Sequence, residues 1–208
     1  MLTIPKTEEL IKDFGPLVSK ICRRMISDKA AAKDAAQEVW MEIIKSLPTF
    51  QGKSKLSTWI FTIARRTVAR YAQKEMTYTR QMVNSFFNLD EIPCPHSSLP
   101  EKKAWVKESC DNCFTAGYHC LSNEARLEKM LKDIAGLSFE EIARILDKDV
   151  QSIRKSVVRS RAKLKNFLTK DCAILNPEGT CRCRIKKVVY ELDLDRKSTR
   201  LNSSHRIR

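Results

Sequence analysis

The feature that most constrains the fold is the stretch of residues 136–168, whose apolar spacing predicts a helix, a tight turn and a second helix. Ser138 is followed three residues later by Glu141, which is the capping-box pattern of a helix start. The apolar pattern breaks at residues 147–149, and Asp149 can cap the second helix. The segment therefore predicts a helix-turn-helix.

The second helix of this pair has a large excess of positive charge. It keeps apolar residues such as Val150, Ile153 and Val157 for packing, and it contains no acidic residue. Its basic residues are Arg154, Lys155, Arg159, Arg161, Lys163 and Lys165. Such a helix suits contact with a phosphate backbone, with its first turn in the major groove of a duplex. The alternative is a solvated basic helix of an ordinary helical domain.

Size and charge support a nucleic-acid partner. A chain of 208 residues suits one large or two small domains, and 5 Gly and 7 Pro argue against a β-rich or disordered chain. The formal net charge is +14, and two basic blocks flank a slightly acidic middle. This distribution favours an extended anionic partner over a membrane surface. No membrane span or signal peptide is recognised, so we expect a cytoplasmic protein.

Helical periodicity predicts an all-α chain of two small domains, joined by a flexible linker and followed by a short cysteine-rich tail. A break at Gly15-Pro16 is expected in the first helical block, and one short helix is expected in the linker near Phe86 and Phe87. Residues 195–208 look like the translation of a common sequencing-library adapter and are left out of the prediction. The predicted segments are 6–75 (first domain), 76–119 (linker with a CxxC), 120–170 (helix-turn-helix domain) and 171–194 (cysteine-rich extension).

The first block also carries patterned charge. Asp34, Glu38 and Glu42 recur at a spacing of four and form an acidic stripe along one helix. A loop, TFQGKSK, precedes a long helix that Ser57 or Thr58 is expected to open. Taken alone, this stripe is compatible with a solvated helix face.

Two stretches carry a resemblance to a known family. The first block, DAAQEVWMEIIKSLPTFQGKSKLSTWIFTIARR, resembles region 2 of bacterial sigma factors of the extracytoplasmic-function (ECF) group. The helix-turn-helix, GLSFEEIARIL followed by VQSIRKSVVRSRAKL, resembles their region 4. The resemblance implies a sigma factor that binds core RNA polymerase, directs it to specific promoters and carries out no covalent chemistry. An anti-sigma factor is a further partner that it implies.

The resemblance also implies roles for individual residues. The polymerase-facing candidates are Asp34, Gln37, Glu38 and Glu42. The candidates for capturing the single-stranded −10 element are Lys53, Ser54, Lys55, Ser57, Arg65, Arg66, Arg70 and Lys74. The candidates for reading the duplex −35 element are Gln151, Ser152, Arg154 and Lys155 at base edges, with Arg159 and Arg161 at phosphates.

The sequence departs from the family pattern at two places. The usual glycine of the turn is replaced within residues 147–149, and Arg66 stands where many relatives have asparagine. Trp59 and Tyr71 fall at helical core spacing, which favours packing over base stacking.

Eight cysteines in a cytoplasmic protein favour metal binding or redox sensing over structural disulfides. The tail resembles the cysteine-rich extension of some ECF-like sigma factors, which implies a four-thiolate site. Its ligands would be Cys120, Cys172, Cys181 and Cys183, with zinc as the default ion and copper as the alternative. Cys110 and Cys113 would form a reversible disulfide or join a second site with His119. Simple reduced thiols are the remaining alternative, and Cys22 is expected in the core.

Two other functions stay open at this point. A metal- or redox-sensing regulator would use the helix-turn-helix alone, without core polymerase. A DNA recombinase or nuclease with a helix-turn-helix would need a catalytic cluster in the first block. The acidic stripe imitates such a cluster, but its residues follow one helix face without a convergent partner.

Overall fold

The computed structural model describes residues 6–87, 90–181 and 183–192. The adapter-like residues 195–208 lie outside these ranges. Within them the regular structure is helical, which confirms the predicted all-α class. The helices are α1 (Thr7–Met25), α2 (Lys29–Ser46), α3 (Leu56–Ala72), α4 (Arg80–Phe87), α5 (Leu99–Tyr118), α6 (Asn123–Asp133), α7 (Phe139–Leu146), α8 (Val150–Asn166) and α9 (Lys186–Glu191), with a 3-10 turn at Leu47–Thr49 and a π turn at Phe167–Asp171.

The chain divides into two compact units. One combines the described part of Met1–Met76 with Leu121–Ser160, and so holds α1 to α3, α6, α7 and most of α8. The other combines Thr77–Cys120 with the described part of Arg161–Arg208, and holds α4, α5, the end of α8 and α9. Among the described helices, none is long and apolar enough to cross a bilayer.

In the first unit, α1, α2 and α3 pack together, and α6 and α7 pack against them. Buried side chains such as Ile21, Val39 and Phe61 form the core. Arg126 of α6 is fully buried, and its guanidinium donates to the main-chain oxygens of Met25 and Leu121 at 3.0 and 3.2 Å. This cation therefore fastens α6 to the end of α1, where the carbonyl groups of a helix favour positive charge.

The predicted break at Gly15-Pro16 is wrong, because α1 runs through Pro16 without interruption. An internal proline costs about 3 kcal/mol. Pro16 faces solvent, and Leu10, Val18 and Ile21 continue one buried stripe on either side of it. Each buried aliphatic side chain contributes roughly 1.5–3 kcal/mol, so the shared stripe outweighs the proline.

Residues 76–119 were predicted to be a linker with one short helix, but in the second unit they contain two helices. The short helix is present as α4, but α5 adds a 20-residue helix. Ser98 precedes α5, and its hydroxyl donates to Glu101. Val106 is buried and Cys110 lies on the same face one turn later. The helix is hard to predict from sequence because Cys110 occupies an apolar position of its buried stripe.

Most predicted helix starts are confirmed. Asp28 accepts from the Ala31 amide at 2.7 Å, and Ser138 forms a capping box with Glu141. Asp149 accepts from the Ser152 amide, also at 2.7 Å. The third helix begins at Leu56, just before the residues predicted to open it.

Candidate functional site

The helix-turn-helix of α7 and α8 is formed by a turn of unusual backbone geometry. Asp147 ends α7 in the left-handed region with a φ of 54°. Glycine favours this conformation, and aspartate is among the few other residues that adopt it readily. Lys148, next in the turn, pairs with Glu124 and Glu128 of α6. The turn without glycine therefore keeps the shape that a helix-turn-helix needs.

We expect substitutions at Asp147 to follow this geometry. Asp147→Val should lower the free energy of unfolding by about 1–2 kcal/mol, because a β-branched side chain is strained at positive φ. Asp147→Gly should change it by less than about 1 kcal/mol, since glycine accepts this conformation. Urea denaturation measures both values. Arg144→Val, on the exposed side of α7, is the control, and equal losses for Asp147→Val and Arg144→Val would refute the strain.

The face that α8 presents to solvent is mostly polar and basic, with Val158 as an exposed apolar side chain. Ile153 and Val157 are fully buried and hold the helix against its unit. Most of the predicted −35 residues on the opposite side are exposed: Gln151, Ser152, Arg154, Lys155 and Arg159. Arg161 is half-buried. The side chains at the start of the helix are therefore free to reach an outside ligand.

Phe139 supports one of these side chains and was not predicted as a site residue. The guanidinium of Arg154 lies 5.0 Å from the centre of the Phe139 ring, and the ammonium of Lys132 lies 4.5 Å from it. Cation–π contacts at such distances orient the cation. The first position of a helix is often occupied by a polar residue. The aromatic Phe139 at this position of α7 was the one sequence signal that could have indicated its role.

The predicted −10 residues lie in the loop before α3, on α3 itself and, in the case of Lys74, just after it. Lys53, Lys55, Arg66, Arg70 and Lys74 are exposed. The remaining three, which are half-buried, are Ser54, Ser57 and Arg65.

Two of these −10 candidates contact α7 within the same unit. The ammonium of Lys55 lies 3.1 Å from Glu141 Oε1, and Arg65 Nη1 donates to the Ile145 carbonyl at 2.6 Å. Thr58 also donates to Glu141, at 3.3 Å. The Ser138 amide lowers the pKa of the Glu141 carboxyl most, and Lys55 lowers it further against the opposing effect of burial. Glu141 is thus an anionic anchor between α3 and α7.

Trp59 and Tyr71 are both half-buried. The Trp59 ring lies 5.1 Å from that of Phe50. The Tyr71 hydroxyl donates to Glu38 at 3.3 Å, and Arg70 pairs with the same carboxylate. Both aromatic side chains therefore make contacts within the unit.

The acidic stripe lies on α2, where Asp34, Gln37 and Glu42 are exposed and Glu38 is engaged by α3. Two apolar side chains of α2 next to these polar residues are also exposed: Met41 by 62% and Ile44 by 44%. Large exposed apolar side chains beside a charged stripe are typical of a protein-binding surface. Neither was predicted as a site residue, although neither falls on the core spacing set by Val39 and other buried residues of α2.

A group of cysteines lies in the second unit. The backbones of Cys172 and Cys181 form an isolated parallel bridge, in which the Cys181 amide donates to Asp171 O at 2.9 Å. Cys110 of α5, Cys172 and Cys183 pack on one buried apolar cluster formed by Val106, Ile174, Ile185, Val188 and Val189. The described cysteines are all free thiols.

The thiols of this group influence one another. Burial raises the pKa of Cys110 to about 12, and the neighbouring Cys183 and Cys172 add to the effect. Burial raises the pKa of Cys113 well above its usual value, again reinforced by neighbouring thiols. Burial likewise raises the pKa of Cys181 to about 12, with contributions from Cys183 and Cys172. The CxxC of α5 and the three tail cysteines therefore share one apolar environment.

The four-thiolate set that was predicted includes Cys120, which is buried and whose carbonyl accepts from Lys163. That set stays a prediction. Among the described residues, no three Cys, His, Asp or Glu side chains converge as a finished metal site. His119 is buried and its ring stacks on Tyr78 at 5.1 Å. Cys22, in contrast, lies in the core of the first unit, as expected.

Comparisons with known proteins agree with this geometry. Residues 10–77 match the family described as sigma-70 region 2. The chain is 23% identical over 167 residues to the RNA polymerase sigma factor YlaC of Bacillus subtilis, covering 78% of this chain and 92% of that one. It is 28% identical over 122 residues to the ECF RNA polymerase sigma factor SigX of the same organism, covering 59% of this chain and 62% of SigX.

A solved structure has the same fold. It is the sigma factor RpoE of Bartonella quintana in complex with the anti-sigma factor NepR, with a TM-score of 0.55 and 22% identity. The match covers 79% of this chain and 97% of that chain.

Proposed function

We propose, from the premise that this chain is a relative of the ECF group of sigma factors, that it directs core RNA polymerase to specific promoters and starts transcription there. It acts by binding and carries out no covalent chemistry of its own. Its place of action is the cytoplasm, where core polymerase and promoter DNA are found. A protein partner of the anti-sigma class is part of the same proposal, since RpoE of Bartonella quintana is bound by one.

The observation that carries this proposal is the presence of two different surfaces in one chain. Residues 10–77 match sigma-70 region 2, and α7 and α8 then form a helix-turn-helix with an exposed basic start. A regulator that used the helix-turn-helix alone would have no need for the first surface. The proposal explains both.

The exposed side of α2 is the proposed polymerase-binding surface. Met41 and Ile44 supply apolar contact area, and the carboxylates of Asp34 and Glu42 surround it. Such a mixture of apolar anchors and charged rim is the usual composition of a specific interface. Glu38 of the same helix contacts Arg70 and Tyr71 of α3, and these contacts help to fix the position of α2.

The loop before α3 and the exposed side of α3 form the proposed path for the −10 strand. Lys53, Arg66 and Lys74 are exposed cations that can follow an unpaired backbone. Lys55 and Arg65 are engaged with α7. Strand capture by these two side chains therefore requires their contacts with Glu141 and Ile145 to break.

The start of α8 is proposed to read the −35 duplex, and Arg154 tests this directly. Arg154→Ala should relax base preference at one −35 position, with a loss of discrimination of about 1–3 kcal/mol. Competition between promoter variants in a binding assay with the polymerase complex measures it. Lys132→Ala is the matched control, because it removes the other cation over Phe139 and should leave the preference unchanged. Equal preferences in the parent and Arg154→Ala would contradict this role.

The experiment that tests the proposed function is assembly with core RNA polymerase. The purified chain should co-migrate with core polymerase in gel filtration, and the complex should bind promoter fragments that neither component retains alone. A duplex-binding regulator would instead bind its site without polymerase. Mg²⁺-dependent cleavage or rejoining of DNA by the chain alone would favour the nuclease or recombinase reading.

A further inference from the structure

We propose that Val158 of α8 is a specificity-determining residue that contacts the C5-methyl group of a thymine in the −35 duplex. Arg154, one helical turn earlier, reads a guanine within two base pairs of that thymine. This role rests on the proposed function and names the class of promoter sequence that the chain selects. The residues that carry it all lie in the first unit.

Val158 lies on the same side of α8 as the residues proposed to reach base edges. Gln151, Arg154, Lys155 and Val158 recur at positions i, i+3, i+4 and i+7, and all four are exposed. This spacing places side chains on one face of a helix. Base-reading side chains of other helices in the major groove use the same spacing. Val158 is therefore the fourth member of a complete reading face, on the side opposite the buried Val157.

Folding does not explain an apolar residue at this position. The Val158 side chain is 57% exposed, and among the described residues of α8 it is the one large apolar side chain with such exposure. Valine forms helices less well than alanine or lysine, so an exposed valine adds nothing to the stability of α8. Arg154 and Lys155 precede Val158 by one turn, and Arg159 follows it directly. A partner at this face should therefore be anionic and also offer an apolar group.

A thymine in a DNA duplex meets both requirements. The phosphates attract the surrounding cations, and the C5-methyl group of thymine is the apolar group on the base edges of the major groove. Cytosine at the same place has no such methyl group and presents an amino donor, which the Val158 side chain cannot accept from. An unpaired donor is costly when it is removed from water. Val158 should therefore favour thymine over cytosine.

Arg154 has the position of a guanine-reading residue. Its guanidinium lies 5.0 Å from the centre of the Phe139 ring, and a guanidinium that stacks on an aromatic ring keeps its N–H donors at its edge. Lys132, at 4.5 Å from the same ring centre, is itself fixed, because its ammonium donates to the Leu137 carbonyl at 2.9 Å. Arginine donating to O6 and N7 of guanine is the commonest specific contact in the major groove. The preformed position of Arg154 therefore suits guanine.

Helix geometry sets the separation of the two bases. Arg154 and Val158 are four residues apart on α8, which is about 6 Å along the helix axis. Successive bases of one strand are about 3.4 Å apart along the duplex. Two contacts with this separation fall on base pairs at most two steps apart when the helix follows the groove. The selected −35 sequence should therefore hold a guanine and a thymine within two base pairs of each other.

The test uses the full chain in complex with core polymerase and selects bound fragments from a randomised duplex library. The selected fragments should share a guanine whose selection is lost with Arg154→Ala, and a thymine within two base pairs of it. Deoxyuridine, which lacks only the C5-methyl group of thymidine, then replaces that thymine. Binding by the parent complex should weaken about fourfold, which is the value of one buried methyl group. The Val158→Ala complex should bind the thymine and uracil fragments equally.

Met76→Ala is the matched control, because Met76 is 61% exposed and lies outside α8, and it should keep the fourfold difference. Val158→Ala should leave the helix intact, since alanine is the better helix former. A Val158→Ala complex that still prefers thymine to uracil as the parent does would overturn the role of Val158, as would the lack of a thymine within two base pairs of the guanine. Either result leaves the proposed function standing, because the complex still selects promoters. A complex that selects no fragment would contradict the proposed function, and this role with it.

Discussion

Met41→Asp is expected to abolish most of the affinity for core RNA polymerase. Met41 is the most exposed large apolar side chain on α2, and it lies among the polar residues of the acidic stripe. Burying a carboxylate in place of a thioether anchor should cost at least about 2 kcal/mol, or roughly 30-fold in affinity. Fluorescence anisotropy of the labelled chain, titrated with core polymerase, measures the change.

Met76→Asp is the matched control for this substitution. Met76 is exposed to a similar degree, at 61%, but it lies beyond the end of α3 and outside the acidic stripe. It should bind core polymerase as the parent does. If Met41→Asp binds as tightly as Met76→Asp, α2 is not the polymerase-binding surface. Unchanged thermal stability of both variants shows that the fold is intact.

Arg126→Ala is expected to cause the largest loss of stability. The guanidinium is fully buried and donates to the carbonyl oxygens of Met25 and Leu121. The substitution leaves these acceptors in an apolar interior and creates a cavity, so the free energy of unfolding should fall by roughly 2–4 kcal/mol. Urea denaturation monitored by circular dichroism measures it.

Arg144→Ala serves as the control, because Arg144 is an exposed arginine on α7 of the same unit. Its effect should remain within about 0.5 kcal/mol. A loss of the same small size for Arg126→Ala would show that α6 is held by its apolar contacts alone.

The features that the sequence predicted well are local ones. Helix caps at Asp28, Ser138 and Asp149 depend on a few neighbouring residues, and all three form as expected. The helix-turn-helix was predictable for the same reason. The left-handed conformation of the turn at Asp147 was not predicted, because the usual sequence signal for it is a glycine and this position holds an aspartate.

The features that the sequence did not predict depend on distant parts of the chain or on residues with two roles. The pairing of Lys55 with Glu141 joins residues far apart in sequence, and only the packing of α7 against α3 brings them together. Helix α5 was missed because Cys110 serves as an apolar residue of its buried stripe. The exposure of Met41 became visible only once the core side of α2 was known.

The central claim is that this chain gives core RNA polymerase promoter specificity. Run-off transcription on a library of promoter fragments, with core polymerase alone and with the chain added, tests this most directly. We predict specific transcripts only in the presence of the chain, lost with Met41→Asp and shifted in −35 preference with Arg154→Ala. Transcripts whose start sites and amounts are unaffected by the chain would contradict the claim.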